Sequence, residues 1–215
     1  MANVNAPFGL KPVRMLSGAA WNQQATLYYI PSSDTNAYYL GDVVQTVAGG
    51  DTLTGAPQVQ LAGTRGSAFT AGLTRGVVVG IGTSVSTPGG NFPGAFDPNN
   101  LAATFIPATK AVNYFVWVVD DPNVVYEIAC DSGNFAASSY NKNAAFTVGN
   151  APTAPANQSQ TVLQTSSLNT TVTLPLRVIG APNRQDNDLV SSTNPYAKAY
   201  VILNTQDLRG NSVGV

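Results

Sequence analysis

Residues 113–130 read NYFVWVVDDPNVVYEIAC, two apolar runs separated by a short polar turn. The runs Asn113 to Val119 and Val124 to Cys130 are rich in β-branched and aromatic residues and have the usual length of a β-strand. The turn Asp120-Asp121-Pro122-Asn123 favours chain reversal, because aspartate accepts backbone hydrogen bonds and proline fixes φ. The stretch therefore predicts a β-hairpin.

Alternation along the second run indicates which of its side chains are buried. Successive residues of a strand point to opposite faces, so we expect Val124, Tyr126 and Ile128 to face the core together with Cys130. Glu127 lies on the other face. Cys130 is accordingly expected to be a small buried hydrophobe rather than a nucleophile, since no base neighbours it.

Strand patterns recur on both sides of this stretch. They are predicted at Ala25 to Ile30, Asp42 to Thr46, Val59 to Leu61, Arg75 to Ile81, Ala102 to Pro107, Thr170 to Ile179 and Ala197 to Leu203. Good helix formers are scarce, whereas strand and turn formers dominate. The sequence therefore predicts an all-β fold, a jelly-roll or a barrel-like β-sandwich. The expected core positions are Val77, Val79, Phe115, Trp117, Tyr126, Ile128, Val178 and Val201.

We expect a single β-domain over residues 21–215, with long loops at 87–100 and 149–159, preceded by an extended N-terminal arm at residues 1–20. In the arm, Pro7 and Pro12 break any helix, and the apolar side chains show neither a strand nor a helix period. The arm is expected to be mobile from Ala2 to Gly18 in the free protein and ordered against a neighbouring subunit. Its expected contact residues are Phe8, Leu10, Pro12, Val13, Arg14 and Met15.

Composition excludes several classes of function. The chain has no histidine and one cysteine, which rules out an intramolecular disulfide, a Ser-His-Asp triad and zinc sites built on histidine or several cysteines. The net charge is -1, with no run of either sign, so direct nucleic-acid binding has no electrostatic basis. No stretch approaches the roughly 20 apolar residues that span a bilayer, and the N-terminus lacks the apolar region of a signal peptide. We expect no cofactor, no membrane partner and no nucleic-acid partner.

Three local patterns resemble chemical motifs without completing them. Gly80-Ile81-Gly82 lacks the third glycine and the helix of a dinucleotide site. Glu127 and Asp131 lie on one strand face about 13 Å apart at roughly 3.3 Å per residue, too far for a glycosidase pair unless a neighbouring strand supplies a partner. Asp186-Asn187-Asp188 does not continue into a calcium loop. We therefore expect no enzyme activity.

Six segments carry a family resemblance along nearly the whole chain. They are ANVNAPFGLKPVR (2–14), WNQQATLYYIPSSDTNAYYLGD (21–42), RGVVVGI (75–81), FVWVVDDPNVVYEIACD (115–131), LPLRVIGAPNRQDND (174–188) and AYVILN (199–204). In this order they resemble tailed-bacteriophage virion structural proteins of the head decoration, or cement, family. The most specific pieces are NAPFGLKPVR and DDPNVVYEI. The resemblance supplies no catalytic residues.

The resemblance implies a decoration protein that binds the outer surface of the head and stabilises contacts between major capsid subunits. Its partners would be the major capsid protein and further copies of itself. A trimer is favoured over a dimer, because cement proteins tend to sit on local three-fold positions of icosahedral shells and repeated contacts tend to close symmetrically. It would be made in the bacterial host cytoplasm and reside on the capsid surface of the virion.

Two alternative functions also fit the sequence. One is a tail or head-tail junction structural protein, which the same composition fits. The other is a virion-displayed carbohydrate-binding module, because aromatic side chains stack on sugars. The candidate stacking residues are Tyr28, Tyr29, Tyr38, Tyr39, Phe92 and Phe96.

Overall fold

The computed structural model describes residues 3–83, 85–87, 90–92, 105–153, 158–189 and 194–209. These residues form strands and three short 3-10 turns, at Ala137–Ser139, Thr165–Ser167 and Asp207–Arg209, without an α-helix. The strands are β1 (Lys11–Met15), β2 (Thr26–Ile30), β3 (Tyr38–Tyr39), β4 (Val43–Gly50), β5 (Pro57–Leu61), β6 (Ala68–Phe69), β7 (Gly76–Thr83), β8 (Val85–Thr87), β9 (Gly90–Phe92), β10 (Phe105–Ile106), β11 (Tyr114–Val119), β12 (Val124–Ala129), β13 (Asn143–Ala144), β14 (Phe146–Thr147), β15 (Val162–Leu163), β16 (Leu176–Gly180) and β17 (Lys198–Leu203). The predicted all-β fold is confirmed.

Two sheets organise the fold. Strands β11, β2, β5, β4 and β7 close into a barrel, and β1, β12, β17, β16 and β13 form an open sheet in that order. Within the barrel, neighbouring strands are antiparallel except β2 and β5, which run parallel. Val44 and Val116 of the barrel belong to the same buried cluster as Tyr126 and Val201 of the open sheet. The barrel-like expectation is therefore confirmed, with one core shared by both sheets.

The predicted hairpin between the two central runs is wrong. Strand β11 pairs with β2 and β7, whereas β12 pairs with β1 and β17, so the chain leaves the barrel and enters the open sheet at the turn. The turn chemistry is as expected, since the Asn123 N–H donates to the Asp121 carboxylate at 2.7 Å. Each strand has both edges occupied by more distant parts of the chain. The Tyr126 hydroxyl, which donates to the Val119 carbonyl at 3.1 Å, ties the two sheets together.

The N-terminal segment packs on its own domain, so the expectation of a mobile arm is wrong for the described residues 3–18. Lys11–Met15 form β1, which pairs with β12 at the edge of the open sheet. Leu10 is only 1% exposed. The register shifts between Pro12 and Arg14. Because such a bulge interrupts the alternation of inward and outward side chains, this strand shows no period in the sequence.

Two glycines in left-handed backbone conformations allow the segment to dock. Gly9 has a φ of 71° and Gly41 a φ of 91°, and the Leu10 N–H donates to the Gly41 carbonyl at 2.9 Å. A Cβ atom on Gly9 would lie 2.5 Å from that carbonyl oxygen and 2.7 Å from Cβ of Ser159. The two backbones therefore touch where no side chain fits.

A buried carboxylate lies directly beneath this contact. Asp42 is fully buried and accepts hydrogen bonds from the Tyr39 N–H at 2.8 Å and from the Ser159 hydroxyl at 2.6 Å. Its charge is balanced by Arg65, which forms an ion pair with it and also donates to the Gly149 carbonyl at 2.9 Å. The cluster Asp42, Arg65 and Ser159 thus joins the β3–β4 turn to two distant loops.

Six of the eight expected core positions are buried, and these are Val77, Phe115, Tyr126, Ile128, Val178 and Val201. Val79 is half-buried against the core. Trp117 is 40% exposed, so its assignment to the core is wrong. It lies on the outer face of the barrel, where a period-2 pattern cannot distinguish a covered residue from an uncovered one.

The two predicted long loops are only partly described. Within 87–100, β9 pairs with β8, while residues 88, 89 and 93–100 lie outside the described part. Within 149–159, residues 149–153 have no regular structure, and 154–157 again lie outside. Gln158 forms an isolated parallel bridge with Leu40, which fastens the second loop beside the β3–β4 turn.

Gly9→Ala should lower the free energy of unfolding by about 2 to 5 kcal/mol, because left-handed backbone costs a non-glycine about 1–2 kcal/mol and the clash with Gly41 adds about 1–3 kcal/mol. Gly55→Ala is the matched control, since Gly55 has a φ of 72° and no atom within 4 Å of a Cβ placed there. It should lose only the backbone part. Denaturant unfolding of both variants measures the difference, and equal losses would mean that the segment is not docked.

Three tyrosines should resist ionisation in the folded protein. Burial raises the pKa of Tyr126, Tyr38 and Tyr28 well above the usual value, and in Tyr28 the hydrogen bond to Asp120 adds to this effect. A raised folded pKa means that their contribution to stability is complete below pH of about 10, the unfolded value, and is lost as the pH rises through the folded pKa values. Alkaline titration of tyrosinate absorbance should therefore count at least three fewer tyrosines in the native protein than in concentrated guanidinium chloride.

A matched variant isolates one of these tyrosines. Tyr28→Phe should leave the native titration curve nearly unchanged while removing one group from the denatured curve. A native curve that already counts every tyrosine at the ordinary pKa would contradict the burial of these hydroxyls.

Candidate functional site

A groove with a volume of about 740 Å3 separates the N-terminal segment from the outer wall of the barrel. Phe8 and Pro12 line one side, and Gly80 and Trp117 line the other. Trp21 contributes from the chain that leads into β2. We call this site the tryptophan groove, because it contains both tryptophans of the chain.

Trp117 takes its place in the groove through its partner across the sheet. It lies opposite Gly80 of β7 in the strand register, and a Cβ atom on Gly80 would meet Cδ1 of the indole at 3.1 Å and its Cγ at 3.4 Å. The missing side chain lets the indole lie against the barrel wall, which leaves 40% of Trp117 exposed. Glycine opposite an aromatic residue thus provides a flat apolar surface facing outward.

Trp21 also lines the groove and is half-buried. Its indole Nε1 is covered yet has no hydrogen-bond partner in the part of the chain that the structure describes. Two residues later, Gln23 has a φ of 65°, a left-handed conformation that is uncommon for a residue other than glycine. The chain between Trp21 and β2 is therefore held in an unusual path, and its exposed amide side chains Gln23 and Gln24 border the groove.

The structure separates the six residues expected to contact a partner. Phe8, Leu10 and Pro12 line the tryptophan groove, although Leu10 is too deeply buried to offer much surface. Arg14 instead lies over the ring of Tyr200, with 5.8 Å from its guanidinium carbon to the ring centre.

The remaining two expected residues also lie apart from the groove. Met15 is partly buried and packs against the core, and Val13 is half-buried in β1. Of the six predicted contact residues, only Phe8, Leu10 and Pro12 therefore line the groove. Trp21 and Trp117 are its main additions, and the sequence signal for them was simply that tryptophan is rare and enriched at interfaces.

Among the described residues, Lys11 is the only charged residue that lines the groove, and no carboxylate of that part of the chain does. Lys11 is exposed and forms no ion pair with any residue that the structure describes. The site therefore combines apolar aromatic walls, amide side chains and one exposed cation.

The acidic residues considered as catalytic candidates are occupied elsewhere. Both oxygens of Glu127 accept hydrogen bonds from Arg184, at 2.6 and 3.1 Å, and this pairing raises the pKa of the arginine. Asp131 accepts from the Thr165 hydroxyl at 2.6 Å and from the Gly133 N–H at 3.0 Å. Both carboxylates therefore act as structural acceptors here.

Cys130 and Asn187, which were also considered for chemistry, are buried in the structure. Cys130 is 1% exposed, and desolvation raises the pKa of its thiol, so it is not a reactive thiolate. Asn187 is buried, donates to the Pro182 carbonyl at 2.9 Å and accepts from the Lys198 N–H at 2.8 Å. In the described residues no group of three His, Cys, Asp or Glu side chains is placed to hold a metal ion.

The residues expected to stack on sugars are mostly inaccessible. Tyr28, Tyr38 and Tyr39 are buried, and Tyr29 is half-buried beside Phe115 at 5.7 Å between ring centres. Phe96 and the side chain of Phe92 lie outside the described part. None of the four described tyrosines therefore offers an open stacking face comparable to that of Trp117.

The chain matches no protein-family model, no curated protein and no solved structure. Over the described ranges, no helix has the length and apolar character that a membrane crossing requires.

Trp117→Ala should cost about 1 kcal/mol of stability or less, whereas Phe115→Ala should cost about 3–5 kcal/mol, the usual range for a buried phenylalanine. The two residues share the outer face of β11, but Phe115 is 1% exposed and Trp117 is 40% exposed. Denaturant unfolding of the two variants compares them directly. Similar losses at both positions would show that Trp117 belongs to the core after all.

Proposed function

We propose that the protein is a structural, non-enzymatic component of a bacteriophage virion that decorates the outer surface of the head and stabilises contacts between major capsid subunits. The observation that carries the proposal is the tryptophan groove, an outward-facing aromatic site on the wall of a closed β-barrel. The resemblance of NAPFGLKPVR and DDPNVVYEI to decoration proteins supports the same role. The partners would be the major capsid protein and further copies of this chain, with a trimer favoured.

The composition of the groove suits a protein interface. Tryptophan is among the residues most enriched at interface cores, and gathered apolar residues on a surface mark interaction sites more often than scattered ones do. Trp21, Trp117, Phe8 and Pro12 all lie in this one groove. Catalysis has no comparable support, because Glu127 and Asp131 are engaged in structural contacts.

In this proposal the N-terminal segment is part of the binding site and not a free arm. A free arm would have contributed Phe8 and Leu10 to a groove on a neighbour, but Leu10 is buried in this chain's own core. Phe8 and Pro12 keep a role in the proposal as one wall of a site that receives part of the partner.

Copy number in purified virions tests the proposal. We expect the protein to be present in amounts comparable to the major capsid protein and to be labelled over the head by antibodies raised against the recombinant chain. Trp117→Ala should reduce the occupancy of stripped particles while the variant stays folded. A few copies per particle with labelling at the tail or its junction would support a tail protein instead, and absence from the virion would overturn the proposal.

A further inference from the structure

The tryptophan groove has features that define what it accepts, and the inference drawn from them rests on the proposed function. Its walls are the apolar side chains Phe8, Pro12, Trp21 and Trp117, and its polar lining is provided mainly by amide groups. Aromatic-lined grooves of this kind recognise extended proline-containing peptides, whose rings pack flat against indoles and whose preformed conformation limits the entropy lost on binding.

Strand β1 favours this mode over the addition of a further β-strand. It lies at the edge of the open sheet, where an incoming strand would need a row of free N–H groups. Pro12 has no N–H, and the bridge between Arg14 and Ala20 already occupies the far end of β1. An incoming chain is therefore recognised through side-chain pockets rather than through a β-ladder.

The polar groups of the groove complement a peptide backbone. The covered Nε1 of Trp21 lacks an acceptor in the described structure, and a buried donor without a partner is unfavourable. A peptide that supplies a carbonyl to this indole N–H would remove that cost. Gln23, Gln24 and Gln158 can donate to further carbonyls at the rim.

Lys11 determines the preferred charge of the occupant. Within the described ranges it is the sole charged residue of the lining, and it forms no ion pair there. A carboxylate on the incoming segment would complement it, whereas a second cation would be repelled.

We propose that the tryptophan groove binds an extended, proline-containing segment of a partner protein that carries an acidic residue where it passes Lys11. On a phage head this segment would belong to the shell to which the protein attaches. The apolar walls favour a proline-containing peptide over a glycan, since proline rings bury apolar surface against the indoles, whereas sugar hydroxyls packed there would lose their hydrogen bonds to water.

Tryptophan fluorescence tests the proposal, because the chain's only two tryptophans both line the groove. The full-length protein is titrated with the blocked peptide Glu-Pro-Pro-Leu-Pro-Pro, with its counterpart carrying Gln in place of Glu, and with cellohexaose. We expect a saturable change in emission with both peptides, tighter for the acidic one, and none with the oligosaccharide. No saturation with either peptide overturns the proposal, and saturation with cellohexaose alone would identify a glycan site instead.

Variants identify the residues responsible. Trp117→Ala, followed through Trp21, should weaken binding of both peptides by about tenfold or more, as expected for a central aromatic anchor. Lys11→Gln should weaken only the acidic peptide, by about two- to fivefold, the range of an exposed ion pair. Leu53→Ala is the control, since Leu53 is 71% exposed and does not line the groove; it should change neither affinity. Equal effects of Trp117→Ala and Leu53→Ala would contradict the assignment.

The peptide titration and the virion analysis fail independently. If the protein decorates heads but Trp117→Ala decorates them equally well, the groove is not the contact and the decoration role stands. If the groove binds the peptide but the protein is absent from heads, the binding site stands and the decoration role is wrong.

Discussion

The fold depends on the buried carboxylate of Asp42. It accepts a backbone N–H from Tyr39, a hydroxyl from Ser159 and the charge of Arg65, so three separated stretches of chain meet at one side chain. Removing one partner of such a buried pair typically costs about 3–5 kcal/mol, because the other charge is left without compensation. The β3–β4 turn held in this way carries Gly41, on whose carbonyl the N-terminal segment docks. The position of one wall of the tryptophan groove therefore follows from an ion pair beneath it.

The opposite wall has a different physical origin. Gly76 and Gly80 both lie on β7, and a Cβ atom on Gly76 would come within 2.2 Å of the Val119 carbonyl oxygen. Close approach of β7 and β11 at Gly76, with a register shift just after Trp117, fixes how the two strands face each other. Gly80 then leaves the space over which the Trp117 indole lies. Both walls thus depend on glycines where two backbones, or a backbone and a ring, come into contact.

The local sequence pattern predicted where the strands lie, because strand formation depends largely on the residues within each strand. Runs such as Arg75 to Ile81 and Ala197 to Leu203 lie close to β7 and β17, because the β-branched and aromatic residues in them favour strands whatever their partners. Pairing was not predictable in the same way: β11 and β12 adjoin in sequence, yet their edges are occupied by strands far along the chain. The bulge in β1 concealed a strand, and Trp117 has the same strand pattern as a core residue. The groove itself could not be predicted from the sequence, since its lining comes from six separate segments of the chain.

The sequence suggested that the N-terminal segment inserts into a partner protein. The docked segment instead forms one wall of the groove that we propose receives a segment of the partner. A mobile arm would bring apolar side chains to a partner and would lose conformational freedom on binding, which reduces the affinity gained from each contact. Here that freedom is lost on folding, when Leu10 enters the core and Gly9 meets Gly41. Phe8 and Pro12 are consequently held in place before any partner arrives. The ordering cost of an encounter therefore falls mainly on the incoming segment, and a segment stiffened by proline is the kind that loses least.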